Sequence, residues 1–197
     1  MSSSILRVLA ISGSLRAKSI NTAVLQAVQS LAQPDVAVTL YRGLGDLPHF
    51  NPDLDIDPPP AAVATLRQAI VSAQALVIST PEYAHGVPGV LKNALDWLVS
   101  FEPFLHKPVA ILNARPGATF ALASLRETLN AMNARLLDAA CVTLPLTGNS
   151  LDAPALLRLP AVRAQLQAVL TALAQVRLLA AARKAVRVNP TEALRTE

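Results

Sequence analysis

The stretch ILRVLAISGSLRAKSIN, residues 5–21, decides the fold that we expect for this chain. Residues 5–11 form a short apolar run, which is typical of a strand buried on both faces of a sheet. Gly13 permits a tight turn, and hydroxyls and two cations follow it before apolar residues recur at helical spacing. A strand that turns directly into a helix is the repeating unit of an α/β protein.

The rest of the chain repeats this alternation. Further strands are predicted at 36–41, 75–80, 108–113 and within 135–144. Helices are predicted between them, among them one with Pro88 at its first helical position and one over about 119–132. A long helix from about residue 154 should turn a row of apolar side chains inward: Val162, Leu166, Val169, Leu173 and Val176.

Five strands alternating with five helices predict an α/β fold with a doubly wound, five-stranded parallel sheet and helices on both faces. A Rossmann-like and a flavodoxin-like strand order both fit this pattern. In both, ligands bind at the carboxyl ends of the strands, where the strand order reverses. We therefore expect the functional residues in the loops that follow the first, third and fourth strands.

Size and composition limit the class of protein. The 197 residues, 52% hydrophobic and 15% charged, predict one domain over 1–197 whose end frays past about residue 187. No apolar run approaches the roughly 20 residues that span a bilayer, so we expect a cytoplasmic protein without membrane contact. The net charge is +4, but basic residues are dispersed and aromatic residues make up 4%, which argues against nucleic-acid binding.

The loop after the first strand, SGSLRAKSINT (12–22), is predicted to bind an anion. Its hydroxyls, amide and cations precede a helix N-terminus, whose free N–H groups and dipole attract negative charge. As an alternative, Ser19 or Asn21 serves only as the N-cap of that helix. The nucleotide-triphosphate pattern G-x-x-x-x-G-K-S/T fails, because Ser12 and Ala17 stand at its glycine positions. The dinucleotide pattern G-x-G-x-x-G is also absent, which favours a mononucleotide phosphate.

The loops after the third and fourth strands should complete this site. In TPEYAHGVPGVLKNALDW (80–97), two prolines bracket a short loop against which a planar ligand could lie. We interpret Glu82 as structural or interface-forming, Asn93 as a solvent or subunit contact, and Trp97 as a packing residue. NARPGATF (113–120) contains a turn signal, and Arg115 meets either a substrate phosphate or only water.

The loops after the first and third strands resemble those of the NAD(P)H-dependent FMN reductases of flavodoxin-like fold, a family that includes quinone, chromate and azo-compound reductases. The resemblance extends to about residue 142, and its motifs are GSLRAKSIN (13–21), LGDLPHF (44–50) and TPEYAHGVPGVLKNALDW (80–97). It implies the strand order 2-1-3-4-5, with FMN bound between the first and third strands, where the strand order reverses. It also implies NADPH or NADH as the co-substrate.

The resemblance assigns FMN contacts to residues of both loops. The first loop would bind the phosphate through Ser14, Arg16, Ser19, Asn21 and Thr22. The second loop would contact the isoalloxazine and the ribityl chain through Pro81, Glu82, Tyr83, Ala84, His85 and Gly86.

The function implied is hydride transfer from NAD(P)H to bound FMN, and then to a quinone, a similar small acceptor or free flavin. Because the cofactor carries this chemistry, no catalytic side chain and no metal are required. Family members are usually oligomers, so a homodimer or homotetramer is expected, with contact surfaces at 45–60 and 82–104. Two alternatives remain: an electron carrier of the flavodoxin type without NAD(P)H activity, and a flavin-free regulatory protein of the same fold.

Overall fold

A parallel β-sheet forms the centre of the computed structural model, which describes residues 5–147 and 151–188, with side chains up to residue 176. The strands are β1 (Leu6–Ser12), β2 (Val36–Tyr41), β3 (Ala75–Ser79), β4 (Pro108–Asn113), β5 (Arg135–Leu136) and β6 (Val142–Thr143). Their order is β2-β1-β3-β4-β5, and every pair is parallel. This confirms the flavodoxin-like order. The predicted fraying past about residue 187 falls at the end of the described residues and beyond them.

The fifth strand differs from the prediction. One strand was predicted within 135–144, but β5 and β6 are two short strands that both pair with β4. Between them, Asp138–Ala140 form a 3-10 turn that buries Ala140. The exposed Asp138 carboxylate lies 2.7 Å from the guanidinium of Arg126. A charged side chain is costly in a strand covered on both faces, so the chain leaves the sheet at this point.

Helices cover both faces of the sheet. They are α1 (Ile20–Leu31), α2 (Ala61–Ser72), α3 (Gly89–Asp96), α4 (Thr119–Ala131), α5 (Ala153–Leu157) and α6 (Pro160–Val188). Pro88 is the N-cap of α3 and not its first helical residue, so the helix begins one residue later than predicted. The single long helix predicted from about residue 154 is wrong, because the chain forms α5 and then restarts at Pro160. Proline has no N–H to continue a helix, yet it suits the first helical position.

Two hydrophobic layers hold the helices to the sheet. On one face, Leu6, Val8 and Ala10 of β1 belong to the layer under α1, α5 and α6. On the other face, Leu9 and Ile11 belong to the layer under α2, α3 and α4. The inward residues predicted for the last helix are all buried: Val162, Leu166, Val169, Leu173 and Val176. Among the helices of the described part of the chain, none is long and apolar enough to cross a membrane.

Candidate functional site

A cleft of about 410 Å³ opens at the carboxyl ends of β1 and β3. The sheet order reverses here, since β1 leads to β2 on one side and to β3 on the other. Three loops supply the walls, and the lining residues are Ser14, Arg16, Ser19, Ile20, Asn21, Thr80, Pro81, Glu82, Tyr83, Arg115, Gly117 and Ala118. The tertiary structure therefore brings together the loops that follow the first, third and fourth strands.

The N-terminus of α1 forms one wall of the cleft. Ser19 is the N-cap of α1, and its hydroxyl accepts a hydrogen bond from the backbone N–H of Thr22 over 3.4 Å. Ser19 is thus an N-cap, but this bond satisfies only one of the first four N–H groups of the helix, so capping alone does not account for the other polar groups of this wall. Ser14 is buried and Arg16 is exposed, and both line the same wall. A hydroxyl pair, a cation and a helix N-terminus are suited to a phosphate.

Two polar residues of the first turn of α1 have different surroundings. Asn21 is 4% exposed, and its Oδ1 lies 2.9 Å from the hydroxyl of Ser79 on β3. Its amide nitrogen is therefore the end left for a ligand in the cleft. Thr22 does not line the cleft, and its hydroxyl lies 2.8 Å from the hydroxyl of Ser12.

Gly13 is required by close packing rather than by an unusual backbone angle. No glycine in the described part of the chain has a positive φ. A Cβ atom on Gly13 would lie 2.2 Å from the Thr80 Oγ1 and 2.8 Å from the Thr80 Cβ. The absence of a side chain lets the loops after β1 and β3 approach each other at the base of the cleft.

The loop after β3 folds into a tight hairpin, which we call the hairpin loop (residues 81–88). Tyr83 and Gly86 exchange two backbone hydrogen bonds of 3.1 and 2.9 Å. Ala84 and His85 lie between them at φ 47° and φ 58°, which is the left-handed pair of a type I′ turn. Tyr83 is 52% exposed at the cleft.

The hairpin loop contacts α4 at two points. The Oε2 of Glu82 accepts a hydrogen bond of 2.8 Å from the backbone N–H of Ala121 in the first turn of α4. The ring of His85 stacks on the ring of Phe120, with centroids 4.2 Å apart and planes inclined by 22°. The sequence interpretation of Glu82 as structural agrees with this contact, although its partner was not predicted.

The loop after β4 forms the opposite wall. Asn113 is buried, and its Oδ1 accepts a 3.0 Å hydrogen bond from the backbone N–H of Arg115. This turn sets Arg115, Gly117 and Ala118 along the cleft. Arg115 thus lines the cleft, and the two alternatives for its side chain, a substrate phosphate or only water, both stay open.

Seven of the eleven residues that the resemblance assigned to FMN line the cleft, namely Ser14, Arg16, Ser19, Asn21, Pro81, Glu82 and Tyr83. The four that do not are Thr22, Ala84, His85 and Gly86. Four other lining residues, Ile20, Thr80, Gly117 and Ala118, were not assigned to FMN. All four lie within the three predicted loops, but Ile20 and Ala118 are apolar and the sequence carries no signal that turns them toward a ligand.

The cleft suits a mononucleotide in size and chemistry. Its volume lies within the roughly 300–1,000 Å³ that is usual for small-molecule sites. One wall has the N-terminus of α1 with hydroxyls and Arg16, and another has Pro81, Glu82 and Tyr83 of the hairpin loop. The sheet order and this cleft define a flavodoxin-like α/β protein with a site for a phosphate-bearing ligand.

Comparison with known proteins identifies the family. A sequence model of the NADPH-dependent FMN reductase family matches residues 6–147, and the chain belongs to that family. The chain is 39% identical over 153 residues to an NAD(P)H-dependent FMN reductase of Pseudomonas aeruginosa, covering 75% of this chain and 82% of the relative. A quinone reductase of Pseudomonas putida is 33% identical over 138 residues, covering 68% and 72%.

A solved structure agrees with this assignment. The flavoenzyme NAD(P)H:(acceptor) oxidoreductase FerB of Paracoccus denitrificans superposes with a TM-score of 0.70 at 27% identity. The superposition covers 89% of this chain and 98% of FerB.

Proposed function

We propose that this chain is an FMN-dependent NAD(P)H oxidoreductase whose electron acceptor is a quinone, a similar small molecule or free flavin. The observation that carries the proposal is the cleft at the β1/β3 reversal, whose walls include the N-terminus of α1 with Ser14, Ser19 and Arg16 and the hairpin loop with Pro81, Glu82 and Tyr83. Family membership and the reductase names of the relatives support it.

Each wall of the cleft has a distinct task in this proposal. Ser14, Ser19 and Arg16 hold the phosphate, together with the free N–H groups of α1, because charge-assisted bonds to an anion are the strong ones. The hairpin loop supports the flat ring system, and Tyr83 packs at its edge. When bound, FMN supplies two-electron transfer between the nicotinamide and the acceptor. The protein contributes position and electrostatics, so no side chain needs a catalytic role.

A direct experiment tests the proposal. The purified protein is loaded with FMN, its flavin absorption spectrum is recorded, and oxidation of NADPH and of NADH is followed with benzoquinone. We expect a bound flavin and quinone-dependent oxidation of at least one nicotinamide. FMN binding without any NAD(P)H oxidation would identify an electron carrier, and no FMN binding would identify a flavin-free protein. Either outcome would overturn the proposal.

The assembly and location of the protein stay proposals from the sequence. We propose a homodimer or homotetramer in the cytoplasm, formed through the 45–60 and 82–104 segments. Light scattering coupled to size-exclusion chromatography measures the number of subunits directly.

A further inference from the structure

Helix α4 lacks a cap of its own. Ala118 occupies its N-cap position and makes no side-chain hydrogen bond to the helix. The first N–H groups of a helix have no partner within it, and a side chain from another part of the chain can satisfy them. Glu82, 39 residues earlier in the sequence, brings its carboxylate to the N–H of Ala121. A negative charge is stabilised at this end of a helix, so the bond is favourable on electrostatic grounds too.

The hairpin loop has a backbone that needs external support. Ala84 and His85 are both left-handed without being glycine, which side chains with a Cβ atom adopt at a cost. Such conformations persist only where the surroundings determine them. The stack of His85 on Phe120 and the bond of Glu82 to Ala121 fix this loop to two adjacent residues of α4. We call these two contacts the clasp.

The clasp also determines which helix N-terminus at the cleft is left open to an anionic ligand. Two helix N-termini, those of α1 and α4, meet there. The carboxylate of Glu82 already occupies the positive end of α4. An incoming phosphate is therefore directed to the N-terminus of α1, beside Arg16, and the ring system of the same ligand to the hairpin loop.

We propose that the clasp holds the hairpin loop in its FMN-binding shape before the cofactor arrives, and that Glu82 is a positioning residue for FMN. This inference rests on the proposed function, because it takes FMN to be the ligand. Its physical basis is preorganisation: a loop that is ordered beforehand loses less conformational entropy when the ligand binds. Glu82 acts through the helix and the loop, and no chemical step depends on its charge.

The first test compares FMN affinity and loop order in Glu82 and Phe120 variants. FMN dissociation constants are measured by fluorescence titration, and amide hydrogen exchange of Tyr83 and Gly86 is measured in the apoprotein. Glu82→Ala should weaken FMN binding roughly 5- to 30-fold and speed exchange at both amides. Glu82→Gln keeps an acceptor for the Ala121 N–H and should recover most of the affinity. Phe120→Leu removes the ring stack, and its FMN affinity and amide exchange rates should lie between those of Glu82→Ala and Glu82→Gln.

A matched control and a double variant separate loop position from helix stability. Glu127→Ala removes an exposed carboxylate two turns further along α4 and should change neither readout. Ala118→Ser in the Glu82→Ala background gives α4 a local cap, and because Ala118 lines the cleft, Ala118→Ser alone measures any direct effect of the new hydroxyl on FMN binding. The double variant should restore resistance to urea but leave FMN binding weak and exchange fast. If the double variant also regains FMN affinity, Glu82 acts only by stabilising the helix, and the inference is wrong.

Two other outcomes would also overturn the inference. Weaker FMN binding with unchanged exchange in the apoprotein would mean that Glu82 contacts the cofactor directly. Unchanged affinity in Glu82→Ala would mean that the clasp has no effect on binding. Failure of the wild-type protein to bind FMN would instead refute the proposed function, and the exchange measurement on the apoprotein would still show whether the clasp orders the loop.

Discussion

The indole N–H of Trp97 donates a hydrogen bond of 2.8 Å to the carbonyl oxygen of Pro48. Asn93, one turn earlier, donates to the same oxygen over 2.9 Å and accepts from the backbone N–H of Phe50 over 2.7 Å. The rings of Phe50 and Trp97 meet edge to face with centroids 5.1 Å apart. The second half of the motif in residues 80–97 therefore fastens the 43–60 loop to α3, whereas the first half forms the cleft.

Replacing Asn93 by Asp should destabilise the protein. The substitution keeps the oxygen that accepts from the Phe50 N–H. It replaces the amide N–H that donates to the Pro48 carbonyl by a second carboxylate oxygen, so two acceptors face each other. We expect the free energy of unfolding to fall by about 1–3 kcal/mol. Urea denaturation measures it, and Lys92→Ala is the control, since its pair with Asp96 is exposed and worth about 0.3–0.5 kcal/mol. Equal effects of the two substitutions would contradict the assignment.

Replacing Arg16 by Ala should weaken FMN binding by about 1.5–3 kcal/mol, because a charge-assisted bond to the phosphate is lost. Fluorescence titration with FMN and with riboflavin gives the measurement. Riboflavin lacks the phosphate, so its affinity should stay the same in the variant. Lys18→Ala is the matched control, since Lys18 is exposed and does not line the cleft. A parallel loss of riboflavin affinity would show that Arg16 does not act on the phosphate.

Replacing an alanine by glycine should have opposite effects at two exposed positions. Ala84 is left-handed at φ 47°, a conformation that glycine adopts freely, so Ala84→Gly should raise the free energy of unfolding by up to about 1 kcal/mol. Ala64 lies within α2, where glycine costs about 1 kcal/mol. Thermal unfolding of both variants gives the comparison. Destabilisation of similar size in both would mean that the turn at 84–85 is not left-handed.

Acid should remove a stabilising contribution of Asp55. A hydrogen bond from Ser100, and then the bond and charge of Arg67, lower the pKa of Asp55 below its ordinary 3.8, against an opposing effect of burial. Because the pKa is lower in the folded state, this contribution is fully present well above pH 3.8. It is lost as the pH falls through the folded-state pKa.

The test is the difference in free energy of unfolding between the wild type and Asp55→Asn. It should be about 1 kcal/mol at pH 7 and should shrink below about pH 4. Ser100→Ala should raise the pKa of Asp55 toward 3.8. A difference that is constant with pH would show that Asp55 is not stabilised as a carboxylate.

Local patterns were sufficient for the alternation of strands and helices, whereas the strand order came from the family resemblance. The apolar run at 5–11 and the turn at Gly13 give β1 and the entrance to α1, and the spacing of Val162, Leu166 and Val169 gives the buried face of α6. Such patterns are local because burial of one face imposes a period of 3.6 on a helix, and burial of both faces makes a strand continuously apolar. The position of the cleft follows as well, since parallel strands end at one edge of the sheet.

Other features depend on partners that lie far apart in the sequence. Asp138, at the point where the fifth strand divides, pairs with Arg126. Asn93 is structural and not the solvent or subunit contact that the sequence indicated, because the 43–60 loop folds over α3. Glu82 caps a helix that begins 37 residues later, and the need for glycine at position 13 comes from Thr80.

The sequence by itself thus determined the alternation of strands and helices, the inward faces and the loops that meet at one edge. Only the tertiary structure decided which polar side chains bond to one another and which stay open to a ligand. The physical reason is that periodicity reports burial, which is set within a few residues. A hydrogen bond requires two atoms within about 3 Å, and only the packing of distant segments brings them there.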